Sequence, residues 1–378
     1  MRFEHYIRSG TKRLRCGYTT GTCAALAAAG AVMLLLKGEA PEILELMTPK
    51  GLPVETEPAF CRREGEEALC GVCKDAGDDP DVTNGLLICA RVRRTETGIT
   101  VDGGEGIGRV TKPGLDQPVG AAAINSVPRK MILEAAGSVC EACGYRGGLA
   151  IEIFAPDGKA TGEKTFNPQL GIEGGISILG TSGIVEPMSE RAIVETTALE
   201  IRQAAESGSR RIVLLPGNYG LDYLTGELPE LAAVPRAKCS NYIGDAIDCA
   251  RLEGFQELLL VGHVGKLVKL AGGIMNTHSR VADCRRELFT AHAALCGADA
   301  GTCRMLMQEV SSDGCLRVLE EAGLRDEVLR SLLEALQRQL SRRAEGMRAG
   351  ALMFSRTAGF LGLTEEAESL LREWRTGQ

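Results

Sequence analysis

The sequence predicts an α+β N-terminal domain followed by an α/β domain with a Rossmann-like parallel sheet and a helical C-terminal region. Three observations carry this. Residues 1–173 mix strand-like and helical runs without strict alternation. Residues 174–305 alternate short, fully apolar strands with helices, the pattern of a parallel sheet covered on both faces. Residues 306–378 read as one amphipathic helical run after another. The boundary near Gly171–Gly175 is a shift of composition rather than a flexible tether.

Taken in order, Thr19-Thr20-Gly21-Thr22 reads as a helix N-terminus that opens an alanine-rich helix over 22–37. Arg8, Lys12, Arg13 and Arg15 before the apolar stretch Cys23–Leu36 imitate a secretory signal. The stretch is too short to span a bilayer and lacks a small-x-small cleavage site, so it reads as a buried helix. Short strands are expected at Ile43–Met47, Pro53–Pro58 and Leu69–Lys74. A hairpin is expected from Leu86–Arg93 through the polar Arg94–Thr97 to Gly98–Val101. Lys130–Cys143 reads as a helix and Leu149–Phe154 as a strand. Strands at Ile176–Leu179, Arg211–Leu215 and Glu257–Val261 then alternate with helices at Ser189–Ser207, with Ser189 as cap, Asn241–Glu253 and Val264–Ala271. Helices at Leu316–Ala322, Asp326–Leu340 and Glu365–Trp374 fill the C-terminal region.

Composition narrows the function. The chain of 378 residues carries 43 Lys and Arg against 50 Asp and Glu, a net charge of −7, which disfavours nucleic acid as a partner. Aromatics at 4% argue against base-stacking platforms, and no membrane-spanning segment is expected. The 47 glycines predict many sharp bends or close backbone approaches. Several of the 14 cysteines (Cys23, Cys89, Cys249, Cys296) sit in apolar runs, which reads as free thiols in a reducing, cytoplasmic setting. The pairs Cys70/Cys73 and Cys140/Cys143 are too far apart for a compact zinc ribbon, and no metal site is expected.

Three predicted strands of the second domain each run into a small, polar loop. These are Gly180-Thr181-Ser182-Gly183 continuing to Glu186-Pro-Met-Ser189, then Pro216-Gly217-Asn218-Tyr219-Gly220, then Gly262-His263-Val-Gly-Lys266. In an open parallel sheet such loops gather at the carboxyl edge, where ligands bind. His263 and His278 lie near that edge with Lys266, Lys269 and Asn276. Thr19, Thr20, Gly21 and Thr22 offer hydroxyls and free N–H groups to an anion, with plain capping as the alternative. The acidic run Asp75-x-x-Asp78-Asp79-x-Asp81 reads as a solvated turn or a source of a catalytic carboxylate rather than a calcium loop. Asp102-x-Gly104-x-Gly106-x-Gly108 matches the loose acidic–glycine pattern of S-adenosylmethionine enzymes. A hairpin precedes it and Thr111-Lys112-Pro-Gly114 follows where a helix should begin, so a tight loop against a ligand and a structural turn stay equally open. No Walker A and no GxSxG elbow is present.

Several long strings occur in order between residues 14 and 300. They are Leu14-Arg-Cys-Gly-Tyr-Thr-Thr-Gly-Thr-Cys23, Asp75-Ala-Gly-Asp-Asp-Pro-Asp-Val-Thr83, Gly103-Gly-Glu-Gly-Ile-Gly-Arg-Val-Thr-Lys-Pro-Gly114 and Ile124-Asn-Ser-Val-Pro-Arg-Lys-Met131. Further on come Ile178-Leu-Gly-Thr-Ser-Gly-Ile-Val-Glu-Pro-Met-Ser189, Pro216–Gly220 and Gly262–Gly273 with Asn276-Thr-His278. Together these resemble the CbiD family of anaerobic cobalamin synthesis; the cysteine-rich positions and the tail from about 305 are less family-like. The resemblance implies transfer of a methyl group from S-adenosylmethionine to C1 of cobalt-precorrin-5B, giving cobalt-precorrin-6A, with cobalt present only as part of the substrate. Such a transfer needs in-line positioning above all. A carboxylate to orient a cation or remove a proton would come from Asp78, Asp79, Glu105 or Glu186. The acetate and propionate arms of a corrin precursor call for cations and N–H-rich loops. Arg109, Lys112, Arg129, Lys130, Lys266 and Lys269 supply the cations, with Thr19–Thr22, Gly104, Gly106, His263, Asn276 and His278 beside them. The donor is expected at Gly180–Gly183, Ser189 and Gly217–Gly220, with the macrocycle between that edge and the first domain. A non-catalytic corrinoid carrier and a methyltransferase of another tetrapyrrole position are the competing readings. The partner is a small tetrapyrrole, with a homodimer or contact with other pathway enzymes left open.

Overall fold

The structure is a computed structural model that describes residues 3–9, 12–168, 170–217 and 219–376. The chain divides into two compact units, Met1–Ser189 and Glu190–Gln378.

The first unit is built on α1 (Thr20–Lys37). Alanine and leucine fill it, Thr19 caps it by accepting the Thr22 N–H at 3.2 Å, and Gly38 ends it in the left-handed region at φ 84°. By length and composition α1 could cross a membrane, but its residues are largely buried in the unit, so it is a core helix. It lies on a five-stranded sheet of β1 (Phe60–Glu64), β2 (Glu67–Cys73), β3 (Leu87–Thr95), β4 (Ile99–Gly103) and, after α2 (Ser126–Ala142), β5 (Gly148–Phe154). The order is β1-β2-β3-β5-β4, with β5 antiparallel to β3 and parallel to β4. α1 packs on α2, β2 and β3.

The expected 86–101 hairpin is therefore corrected: its two strands exist, but β5 sits between them. The polar turn at 94–98 marks where the chain reverses without deciding which strand pairs. Residues 104–147, including α2, supply the long crossover that a parallel β4–β5 pair requires. Cys61 and Cys70 face each other in the β1–β2 register, 4.2 Å apart at Cα, and form a disulfide. Cys23, Cys89, Cys249 and Cys296 are free, as expected, and the Cys61–Cys70 pair is an exception brought about by the β1–β2 pairing.

Two further differences concern residues 174–189. Ile176 and Ile178 are not the first strand of the parallel sheet; they bridge to Ile107 and Ile124 and are buried in the first unit's core. Ile184–Val185 pairs antiparallel with Gly17–Tyr18. The boundary thus falls after Ser189 rather than near 173, since the apolar residues of this segment find their partners behind them in sequence.

Ion pairs hold the Asp75–Asp81 loop. Arg15 pairs with both oxygens of Asp75 at 2.6 and 2.7 Å, and its N–H donates to Asp78 Oδ2 at 2.6 Å. The buried Lys74 ammonium donates to Asp81 at 2.5 Å. Burial alone would raise the Asp81 carboxyl, but Lys74 and the Thr83 hydroxyl and N–H outweigh it and hold it below the ordinary carboxylate range.

The glycine-rich turn 103–108 packs against the chain itself. Gly106 has φ 72°, and a Cβ there would lie 1.9 Å from the Ala155 carbonyl oxygen. Gly106 therefore has a packing requirement for glycine, while a Cβ on the half-buried Gly104 would meet the end of the Glu152 side chain at 2.7 Å.

The second unit runs α3 (Glu190–Ala205), β6 (Arg211–Leu215), α4 (Tyr219–Glu227), β7 (Arg236–Lys238), α5 (Ile243–Leu252), β8 (Glu257–His263) and α6 (Val264–Ala271). There follow α7 (Arg285–Leu295), α8 (Ala300–Gln308), α9 (Ser312–Glu321), α10 (Arg325–Arg343), β9 (Arg348–Ser355), β10 (Gly359–Leu363) and α11 (Glu365–Thr376). The sheet order is β7-β6-β8-β9-β10, parallel except for β10. One face is buried with Ile201, Ile247, Leu267 and Leu336, the other with Leu224, Leu370 and Trp374, so β8 is apolar throughout its middle. The C-terminal region is largely helical, and it also contributes β9 and β10 to this sheet rather than standing apart from residue 306. Ala349–Phe354 contains no β-branched residue, so nothing local marks β9 as a strand; burial against β8 imposes it.

Two stability measurements check this packing. Gly106→Ala should cost about 3 kcal/mol or more, combining left-handed strain with a backbone clash, while Gly51→Ala, with φ 79° and open space around it, should cost only about 1–2 kcal/mol in urea unfolding. Asp81→Asn should lose about 2–4 kcal/mol at pH 7. Because the folded carboxyl titrates below its unfolded value, this stabilisation is complete above pH ~4 and disappears as pH falls through the folded value, so wild type and variant should converge there.

Candidate active site

In the first unit, residues 177–183 lie across the N-terminus of α1. The Thr20 hydroxyl reaches the Ser177 carbonyl at 3.2 Å and accepts the Leu179 N–H at 2.9 Å. The Thr22 hydroxyl donates to the Gly183 carbonyl at 2.6 Å, and the N–H groups of Thr19 and Gly21 donate to the carbonyls of Gly183 and Leu179. Thr19, Thr20 and Thr22 are buried, so their hydroxyls serve the chain's own backbone. The contact is close enough that a Cβ on Gly180, at φ 124°, would come within 2.4 Å of the Thr19 side chain.

The far side of this loop meets the acidic run. Asp79 Oδ1 accepts the N–H of Met188 at 2.9 Å, and Met188 itself has φ 56°, an uncommon conformation for a non-glycine residue. Glu186 forms an ion pair with Lys50, whose N–H donates to the Ser182 carbonyl at 3.1 Å. Asp79 and Glu186 are thus tied to the loop at 180–189, while Asp78 is bonded to the Arg15 backbone. Glu105 is exposed on the glycine-rich turn, where its carbonyl accepts the Ala155 N–H. Thr181 and Lys130 border a cleft of about 750 Å³ between α1, α2 and Leu44–Met47, floored by Met33, Met131 and Val139.

In the second unit, strand order reverses between β6 and β8, and their carboxyl ends carry Gly217, Tyr219 and His263. Such a switch point leaves a crevice beyond the strand ends. His263 Nδ1 accepts the Gly265 N–H at 3.1 Å, which places the ring proton on Nε2. Burial lowers the His263 pKa; Asp313 opposes this and Arg356 adds to it, so the ring is neutral. Tyr219 lies 6.4 Å from the His263 ring, with the Arg356 guanidinium 4.7 Å above its face. The Lys266 Nζ donates to the Ser240 carbonyl at 3.0 Å and would be 3.3 Å from a Cβ on Gly217. Gly220 is buried against β8, and Asn218 lies outside the described residues.

The remaining expected site residues are mostly engaged within the chain. Arg109 pairs with Asp102 at 3.0 Å, the Lys112 stem packs on Gly171, and Arg129 donates to the Val101 carbonyl at 2.5 Å. Lys269 is buried, donating to the carbonyls of Thr277 and Ala282, so it pins the 277–283 segment. Asn276 Oδ1 accepts the His278 N–H and His278 Nδ1 accepts the Arg280 N–H, which makes both local loop caps. The Gly180–Ser189 loop does not follow a strand of the second unit's parallel sheet, as expected for it, whereas Gly217–Gly220 does follow β6. Lys50, Arg15 and Arg356 were missed. Lys50 and Arg15 have no distinguishing sequence pattern, and Arg356 becomes visible only once β9 is known to end at the same sheet edge as His263.

Comparisons with known proteins place the chain in a family. The sequence model of the CbiD family matches residues 7–187 and that of the CbiD C-terminal domain matches residues 276–365. The cobalt-precorrin-5B C(1)-methyltransferase of Ruminiclostridium cellulolyticum is 50% identical over 342 residues, covering 90% of this chain and 88% of its own. The protein of the same name from Alkaliphilus metalliredigens is 42% identical over 371 residues, covering 97% of each. A crystal structure of a cobalamin biosynthesis protein (cbiD) from Archaeoglobus fulgidus shares 30% identity, covering 75% of this chain and 87% of that one, at a TM-score of 0.40. The matches span both units at high identity, and the chain belongs to the CbiD family.

Proposed function

We propose that this chain is a methyltransferase that methylates C1 of cobalt-precorrin-5B in the cytoplasm, with S-adenosylmethionine as donor and cobalt carried by the substrate. The observation that carries the reading is identity of 42–50% over most of the chain to proteins named for that reaction. When bound, S-adenosylmethionine supplies the electrophilic methyl group. The carboxyl edge of the second unit suits a polar small molecule, because two cations, an exposed tyrosine face and a neutral imidazole converge at a topological switch point. That edge holds the donor. In the first unit the apolar floor of the cleft beside Thr181 and Lys130 suits the macrocycle.

The carboxylates have separate roles. Forming a carbon–methyl bond on the ring calls for loss of a proton, and Glu186 accepts it. Asp79 is a positioning residue that keeps the Glu186–Ser189 turn in place through Met188. Asp78 is held by the Arg15 N–H and shapes the acidic loop.

Glu186→Ala should lower kcat by about a hundredfold or more, the usual loss for a general base, and Asp79→Ala by a smaller factor, measured as the rate of product formation by mass spectrometry. Unchanged turnover in both variants removes the carboxylates from the reaction. The activity itself is tested by turning over cobalt-precorrin-5B with donor labelled with carbon-13 in its methyl group: NMR should find the label at C1, and label at another ring position would refute the assignment.

A further inference from the structure

We infer that Lys266 and Arg356 form a two-cation clamp for the amino-acid carboxylate of the methyl donor, which rests on the reading above that the donor binds at this edge. Several arginines elsewhere in the unit are neutralised by carboxylates. In the same unit Arg211 pairs with Glu257, Arg343 with Asp248, Arg375 with Glu230, and Arg348 with Glu257, Glu366 and Glu373. For Lys266 and Arg356, which follow the carboxyl ends of β8 and β9, no carboxylate lies within ion-pair distance among the described residues. One Lys266 proton goes to the Ser240 carbonyl, and an ammonium has three to give.

Arg356 is held in place without being neutralised. It follows β9 directly, on a turn where the buried Ser355 hydroxyl donates to Asp313 at 2.5 Å and accepts the N–H groups of Thr357 and Ala358. Thr357 donates to the same Asp313 oxygen at 2.9 Å. Asp313 is thus engaged by the hydroxyls on either side of Arg356, and the guanidinium carbon lies 4.7 Å over the Tyr219 ring. Lys266 approaches from the next strand end, against Gly217. The Ser312 hydroxyl, buried and without a hydrogen-bond partner among the described residues, lies beside Gly265 and leaves further polar capacity here. In a chain of net charge −7, two unpaired cations at one sheet edge are complementary to a carboxylate.

Calorimetry on the full chain tests this with two probes, S-adenosylhomocysteine and 5′-methylthioadenosine, which lacks the amino-acid end. Arg356→Gln and Lys266→Met should each weaken S-adenosylhomocysteine binding about tenfold or more and leave 5′-methylthioadenosine binding unchanged, which also shows the site intact. Variants that bind S-adenosylhomocysteine like wild type overturn the clamp alone. Equal loss of both probes overturns it as well, because the residues would then support the site's shape. If the variants instead lose affinity for cobyrinic acid and keep S-adenosylhomocysteine, the cations read the acceptor and the assignment to the donor falls. Wild-type protein that binds neither adenosine probe overturns the donor reading and the clamp with it.

Discussion

The hydrogen bonds between residues 177–183 and the first turn of α1 are the constraint on which the first unit depends. Thr20 and Thr22 are buried, and their hydroxyls satisfy carbonyls 157–161 residues away in sequence. A buried carbonyl left without a donor costs about 1–3 kcal/mol, so two or three such bonds decide where the segment lies. Once it lies there, Ile184–Val185 reaches Gly17–Tyr18, Ser182 meets the Lys50 turn and Met188 meets Asp79. The carboxylate network is a consequence of this closure. Threonines that look like an anion site in the sequence thus act one step earlier, by placing the loop that bears Glu186.

The second unit depends on a different constraint, burial on both faces of a parallel sheet. Crossovers that leave β6 toward β7 and return to β8 on its other side open a crevice at their carboxyl ends. Whatever side chains follow these strands are presented together, which is how Tyr219, His263 and Arg356 meet although they are far apart in sequence. Lys269, six residues past the end of β8, instead turns inward and holds the neighbouring segment.

Periodicity made most elements legible. Arg211–Leu215 and Val264–Ala271 occur with the bounds the pattern suggests, and α1 begins within two residues of its expected start. Pairing was less legible, because pattern reports which face is apolar and not what covers it. The 86–101 segment has a hairpin's turn chemistry yet admits β5 between its strands, and Ile176–Ile178 has the composition of a parallel strand yet belongs to the first core. β9 was invisible since alanine, leucine and methionine favour helix when nothing else is known. For the site, Asp79 stands out in its acidic run, and Glu186 and His263 in their glycine-containing loops. Their partners Lys50 and Arg356 do not, as each acquires its meaning only from a tertiary neighbour. The glycine surplus proved to be substantially a packing device, as at Gly106 and Gly180.

Donor binding at the carboxyl edge of the second unit is tested most directly by hydrogen–deuterium exchange with and without S-adenosylhomocysteine. Protection of the backbone amides at 216–220 and 262–266, with little change at 180–189, is the predicted result. Protection confined to 180–189, with none at the ends of β6 and β8, would contradict it.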